Sequence, residues 1–403
     1  MLVKKFAEGK KSLYFFISKK KESLLCDEFI LQYESFTGHS HIGKIQRFIE
    51  LFELILQYGM EHPCVLIIDE FQEFYTVNPG IYSEIQNKWD AYKFKTKVHV
   101  VFIGSIYSLM VKTFQDAKEP LFGRADRILY VKPFQAKVIK TLLEDCSQYS
   151  NENLLYSYMI TGGVPRYLEL LWDSKSYTKQ RILDQVFRKD SFFIEEGKNS
   201  LVLEFGKDYG TYFSILELLS VGRTSRSEIE SVLEHSCGGY LERLEREYGV
   251  VEKVKPLGSK RDARNQKYRI KDNFIHFWFR FVNRHMTLIQ GGRFGYLRNV
   301  LDKELPSFCG TVLEKLFIEI KGYSDEYGLI GTYWEKGNKN EIDIVSVNDI
   351  NRKICITEVK MNKEKINLHK LRAKTVNLEK NYPGYEFEYE GLALEDISRM
   401  LEA

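Results

Sequence analysis

The stretch Cys64-Val-Leu-Ile-Ile-Asp69-Glu70-Phe-Gln-Glu-Phe74 sets an uninterrupted apolar run directly against two carboxylates. A short run that is apolar at every position does not suit one face of a surface element. It suits a strand covered on both sides, as in a parallel sheet flanked by helices. Leu13-Tyr-Phe-Phe-Ile17 and Val98-His-Val-Val-Phe-Ile103 are runs of the same kind, and Ile128-Leu-Tyr-Val131 is read as a fourth. Between the first two, segments 28–33 and 45–58 repeat apolar residues at helical spacing. Residues 1 to about 135 therefore predict an α/β domain built on a parallel sheet.

A buried strand that ends in Asp-Glu is how a nucleotide triphosphatase presents its magnesium and water-activating groups, here Asp69 and Glu70. One strand later, Val100-Val-Phe-Ile-Gly104-Ser105 places a small polar residue, Ser105, at a strand end, where a γ-phosphate sensor would sit. Pro120-Leu-Phe-Gly123-Arg124 offers a guanidinium suited to bidentate phosphate contact, or to a surface ion pair, the commoner fate of an arginine. Thr161-Gly-Gly-Val-Pro165-Arg166 adds a rigid turn and another guanidinium, Arg166. The phosphate-wrapping G-x-x-x-x-G-K-[ST] loop is missing from the 403 residues, and Gly9-Lys10-Lys11-Ser12 lacks its first glycine and its length.

Beyond about 135 the pattern is purely helical to 205, which suggests a small lid. Residues 210–272 read as three helices and a hairpin, a winged-helix pattern, with Ser225 and Glu228 spaced as a capping box, and with the aromatic segment that follows they make up a part spanning 206–290. From about 304 a helix, a strand pair, a helix and a last strand close the chain as a second α/β domain, and boundaries near 205 and 290 divide these parts. Lys and Arg exceed Asp and Glu by three, so whole-chain charge gives no argument for nucleic acid. Six scattered cysteines without a C-x-x-C pair argue against a zinc site or disulfide scaffold and fit a reducing, cytoplasmic setting. No apolar run approaches membrane-spanning length.

The order I-I-D-E-F-Q, F-I-G-S, L-F-G-R and G-G-V-P-R-Y resembles the archaeal-type ATPase family of the AAA+/STAND group, over residues 1 to about 200. The resemblance implies a P-loop ATPase using ATP and Mg, with Asp69 and Glu70 as the Walker B pair, Ser105 as a sensor, and Arg166 in the lid near the phosphates. It implies a homo-oligomer whose site is completed by a neighbour's arginine, with Arg124 or Arg127 in that part. It also implies that the chain starts inside the helix after the phosphate loop, through a mis-assigned start or a truncation. In such a sheet the missing strand lies centrally, so this chain is expected to bind ATP weakly or not at all.

Towards the C-terminus, Asn340-Glu341-Ile-Asp343-Ile-Val-Ser-Val347 and Lys353-Ile-Cys-Ile-Thr-Glu358-Val-Lys360 alternate polar and apolar residues, as strands with one buried face do. Period two puts Glu341 and Asp343 on one face, and Glu358 and Lys360 on one face of the next strand. If the strands pair, Asp343 and Glu358 share a divalent metal while Lys360 holds or deprotonates water, the arrangement that phosphodiester hydrolysis needs. The spacing D-x14-E-V-K is similar to PD-(D/E)xK nucleases, with Glu314 on the preceding helix as a third acidic member; an ion pair on a strand surface is the plainer alternative. The same region, with Asp272-Asn-Phe-Ile-His276-Phe-Trp278-Phe-Arg-Phe281, resembles the uncharacterised domain that follows archaeal-type ATPases.

Lys260, Arg261, Arg264 and Lys267 would form a basic wing able to contact DNA, with Tyr240 and Arg243 on the recognition helix, although Glu242, Glu245 and Glu247 there oppose it. The aromatic run 274–281 is expected to be core, His276 included. The expectation from sequence is thus an ATP-dependent switch or motor acting on nucleic acid through a nuclease-like domain. Its alternative is a non-catalytic regulatory or scaffold protein in which both sites are relics.

Overall fold

The structure, a computed structural model, describes residues 2–259 and 265–402. The chain divides into two compact units, Met1–Tyr130 and Val131–Ala403.

Unit 1 is a three-stranded parallel sheet in the order β1 (Ser12–Phe16), β2 (Cys64–Asp69), β3 (Val98–Phe102). Its core gathers β1, β2 and the helices Glu22–Thr37, Phe48–Glu61 and Ile81–Tyr92 around Phe15, Phe48, Phe52, Ile68 and Phe71, all fully buried. Only β2 is buried along nearly its whole length, because it is the central strand; β3 is an edge among the described residues, with His99 exposed and 100–102 half-buried. The expectation that Val98–Ile103 is covered on both faces is corrected accordingly. The expected fourth strand is also absent: residues 128–131 form no strand, and Leu129 and Val131 are exposed.

Unit 2 opens with five helices, Ala136–Asp145, Asn151–Thr161, Pro165–Asp173, Lys179–Val186 and Phe192–Phe205. Three more follow, Tyr209–Ser220, Arg226–Leu233 and Gly238–Arg246, then the antiparallel pair β4 (Val251–Val254) and β5 (Lys267–Ile270). The expected capping box is formed: Ser225 accepts from the Glu228 backbone, and Glu228 accepts from the Ser225 backbone at 2.9 Å. The aromatic run is core as expected, with Phe274, Phe277, Trp278, Phe279 and Phe281 all buried. It winds partly as a π-helix over Trp278–Val282.

The 28-residue helix Phe294–Lys321 then lies against a four-stranded sheet in the order β6 (Leu329–Glu335), β7 (Lys339–Asn348), β8 (Lys353–Lys360), β9 (Glu386–Ala393). The first three strands run as an antiparallel meander, and β9 returns parallel to β8 after the short helices Leu368–Ala373 and Val376–Asn381. β6 is a strand that sequence alternation did not reveal; its first residues are exposed or half-buried without a regular period. One face of the sheet packs on the long helix through Ile344, Val359 and Leu392. The other buries Val345, Val347, Ile354 and Ile356 with Leu371 and Leu378.

Candidate functional site

In unit 1, Asp69 closes β2 and Glu70 takes a left-handed backbone, φ 54°, a conformation that costs a non-glycine residue about 1–2 kcal/mol. That turn throws the Glu70 carboxylate toward β3, where Ser105 Oγ donates to it at 2.7 Å. Gln72 Nε2 also donates to Glu70 and lies 3.4 Å from Ser105 Oγ. Asp69 accepts from the Tyr14 hydroxyl on β1 and, at 3.0 Å, from the Glu70 backbone. Burial first, then donation to Asp69, pushes the Tyr14 hydroxyl up to about 12.

The structure thus gathers Asp69, Glu70 and Ser105 at one end of the sheet and adds two side chains to which sequence reasoning gave no role, Tyr14 and Gln72. Gln72 is buried, and its Oε1 has no partner. Gly104 makes room for it: a Cβ there would stand 2.5 Å from that oxygen. The signal in the sequence was a glutamine directly after an apolar strand end, which is unremarkable by itself.

The two arginines are engaged elsewhere. Arg124 donates to the Phe122 carbonyl at 2.9 Å and pairs with Asp90 at 3.1 Å, the commoner fate weighed for it. Arg166 pairs with Glu169 at 2.7 Å on an exposed helix turn.

In unit 2 the second constellation is set by a β-bulge. Gly331 pairs with Val345 and Tyr333 with Ile342, so β7 spends one residue more than β6 around Asp343. Ile342 and Ile344, two apart, consequently enter different apolar clusters, which regular alternation forbids. Bulges re-aim side chains in this way. The expectation that Glu341 and Asp343 share a face is corrected: Glu341 pairs with Lys267 at 2.8 Å, whereas Asp343 turns to β8. There it accepts from the Val359 backbone at 2.8 Å and from Lys360 Nζ at 3.2 Å. Lys360 also stands 3.6 Å from Glu358, whose other oxygen accepts from the Asn367 backbone at 2.7 Å. Asp343, Glu358 and Lys360 are therefore brought together.

Glu314 approaches from the long helix. Burial first, then the Asp343 charge, pushes its carboxyl up to about 8, against the opposing charges of Arg269 and Lys360. Because the folded carboxyl holds its proton above the ordinary 4.5, the native state binds more protons than the unfolded chain between those values, and its stability falls as pH rises through that window. Glu314→Gln is expected to gain stability relative to wild type from about pH 5 to about pH 8 and to level off above, in urea titrations at each pH. Equal slopes in both proteins would refute the assignment.

No group of three or more His, Cys, Asp or Glu side chains among the described residues is arranged to hold a metal ion. Alternation explains this. Glu358 has the parity of Ile354 and Ile356, on the far side of the sheet from the long helix that carries Glu314. Two hard-oxygen donors remain beside each other, Asp343 and Glu358, and magnesium is often bound by one or two carboxylates with substrate phosphate and water completing the shell. The donor chemistry fits that ion.

The basic wing fares differently. Lys267 is buried, bonded to Glu341 and stacked 4.5 Å over Trp334, so it does not face solvent. Lys260, Arg261 and Arg264 lie outside the described residues. Tyr240 packs on Tyr212, and Arg243 lies within reach of the Tyr212 hydroxyl at 3.5 Å and of Glu247 at 4.0 Å.

Residues 278–375, which include Glu314, Asp343, Glu358 and Lys360, match the family DUF234, described as archaea bacterial proteins of unknown function. Among solved structures, the Walker-type ATPase PABY2304 of Pyrococcus abyssi superposes with a TM-score of 0.51 at 16% identity, covering 69% of this chain and 87% of that one. That likeness is one of fold. No helix among the described residues is long and apolar enough to cross a membrane. The uncharacterized protein MJECL04 of Methanocaldococcus jannaschii is 30% identical over 311 residues, covering 73% of this chain and 67% of its own length. At that identity over that share of both sequences, the chain belongs to the family of MJECL04.

Proposed function

We propose that the chain is an ATPase-family protein in which a nucleotide-responsive parallel-sheet unit governs a magnesium-dependent phosphodiesterase centre acting on nucleic acid. The observation that carries the reading is the trio Asp343, Glu358 and Lys360, held by backbone donors on a helix–three-strand–helix–strand unit. In this reading residues 1–135 are the ATPase core, 136–205 the lid, 206–290 a winged helix with its aromatic segment, and 291–403 the nuclease-like domain.

Magnesium, when bound, would polarise the scissile phosphate and supply hydroxide near neutral pH. Asp343 and Glu358 offer the oxygens, kept in place by the Val359 and Asn367 backbone donors. Lys360, shared between both carboxylates, is placed to hold the attacking water or the charge that develops on phosphate. In unit 1, Asp69 and Glu70 handle the magnesium and water of ATP, and Ser105 reports on Glu70. The orphaned Gln72 oxygen fits a site awaiting a further polar ligand. Arg124 and Arg166 would have to leave Asp90 and Glu169 to reach phosphate, Arg124 in a homo-oligomer from a neighbouring copy.

A non-catalytic regulatory or scaffold protein is the second reading. It is favoured by Lys360 being neutralised by its own two carboxylates. Supercoiled plasmid incubated with magnesium separates the two: nicking is expected, falling at least about hundredfold in Lys360→Ala. Absence of nicking alongside ATP turnover, assayed in a form carrying a phosphate loop, would discard the phosphodiesterase and keep the switch. Absence of both would leave the scaffold.

A further inference from the structure

The acidic centre is ringed by cations, and their engagements differ. Lys360 is held by Asp343 and Glu358, Lys267 by Glu341, and Lys315 by the carbonyls of Ile270 and Lys271 at 3.0 and 3.1 Å and by Asn273 at 3.1 Å. The Arg269 side chain differs: its guanidinium makes no hydrogen bond or ion pair with any described residue. Neither does the Glu314 carboxyl.

Where Arg269 points follows from β5. Tyr268 and Ile270 enter the large core, so Lys267 and Arg269 share the opposite face. Two tethers fix what that face meets. Lys267 reaches Glu341, two residues before Asp343 on β7, and Lys315, the neighbour of Glu314 on the long helix, holds the carbonyl end of β5. Arg269 lies between the tethers, opposite Glu252 in the β4–β5 register, and its charge is felt by Glu314. The charges that act on Glu314 are those of Asp343 and Glu341 from β7, Lys360 from β8 and Arg269 from β5.

A phosphodiester approaching the Asp343 and Glu358 carboxylates is repelled unless a cation with free donors stands beside them. We propose that Arg269 is that group: a substrate-phosphate-binding residue, contributed by the hairpin to the Asp343, Glu358 and Lys360 centre. Its planar fork takes two non-bridging oxygens of a nucleic-acid phosphate, a geometry that an ammonium does not reproduce. The inference rests on the phosphodiesterase reading, and the hairpin strand that looked like a surface wing becomes one wall of the centre.

Anisotropy of a labelled DNA duplex of about 20 base pairs, titrated with the whole chain across a salt series with calcium in place of magnesium, tests it without cleavage. Arg269→Gln is expected to bind roughly tenfold more weakly and to lower the slope of log affinity against log salt by about one. Arg269→Lys should keep the slope while recovering only part of the affinity, an outcome that a merely structural role would not produce. Asp343→Asn serves as the reference for the centre itself. If Asp343→Asn loses calcium-dependent binding while Arg269→Gln matches wild type in affinity and slope, Arg269 is not the phosphate ligand and the phosphodiesterase reading survives. If wild-type binding ignores both calcium and Asp343→Asn, the reading falls and takes the inference with it.

Discussion

Lys321→Met is expected to destabilise unit 2 by about 1–3 kcal/mol, read as a lower urea midpoint at unchanged slope. The Lys321 side chain, at the end of the long helix, is 4% exposed and lies 2.6 Å from Glu390 on β9, which is 33% exposed. Glu390 also accepts from Thr357 Oγ1 at 2.7 Å and from Cys355 Sγ at 3.3 Å. Burial pushes the Glu390 carboxyl up, but the Lys321 charge and these hydrogen bonds outweigh it and leave the carboxyl below its ordinary value. Without Lys321, a carboxylate that is 33% exposed keeps hydroxyl and thiol partners only. The sign with pH follows: a depressed folded value stabilises above the unfolded value and is lost as pH falls through the folded one. The gap between wild type and variant should therefore narrow in acid. A double variant that also replaces Glu390 by methionine should recover most of the loss, because well-packed apolar groups often equal a buried pair. A single variant as stable as wild type would show that the pair is not buried in solution.

Trp278→Ala is the second large effect, about 3–5 kcal/mol. The ring is fully buried, donates from Nε1 to the Ile194 carbonyl at 2.9 Å, and meets Phe213 and Phe279 edge-on at 5.9 and 5.0 Å. It also fills the space above Gly197, where any Cβ would lie 2.4 Å from the ring. Loss of the indole opens a cavity and removes a second donor from a helix carbonyl at once. Trp278→Phe, which keeps the volume more nearly but not the donor, should fall between the two in thermal unfolding. If phenylalanine and alanine cost the same, the hydrogen bond and not the packing carries the residue.

Legibility from sequence followed the range of the interactions involved. β1 and β2, the Asp69–Glu70 end, the Ser225 cap and the aromatic core of 274–281 depend on neighbours within a few residues, and their patterns were readable. The openness of β3 depends on which strands adjoin it, and the absence of a strand at 128–131 on what would pair with it; neither is written in the segment itself. Spacing locates Asp343, Glu358 and Lys360 but not their relation to Glu341 and Glu314, because β7 shifts register against β6 on both sides of Ile342 and so breaks the parity that spacing assumes. Lys267 was misjudged for a related reason. A lysine in a basic stretch looks solvent-facing until Trp334 and Glu341 are placed beside it.

The bulge has a consequence for descent as well as for chemistry. A strand with an extra residue stores a half-turn of orientation that a one-residue deletion beside Asp343 would remove, sending the carboxylate to the other side while leaving every acidic and basic residue in place. A lineage could therefore silence this centre, or regain it, by a single codon's gain or loss, with the composition of the motif untouched. On the phosphodiesterase proposal, the length of the segment between Ile342 and Val345 among relatives would then divide competent from silent members more sharply than the identity of any side chain within it.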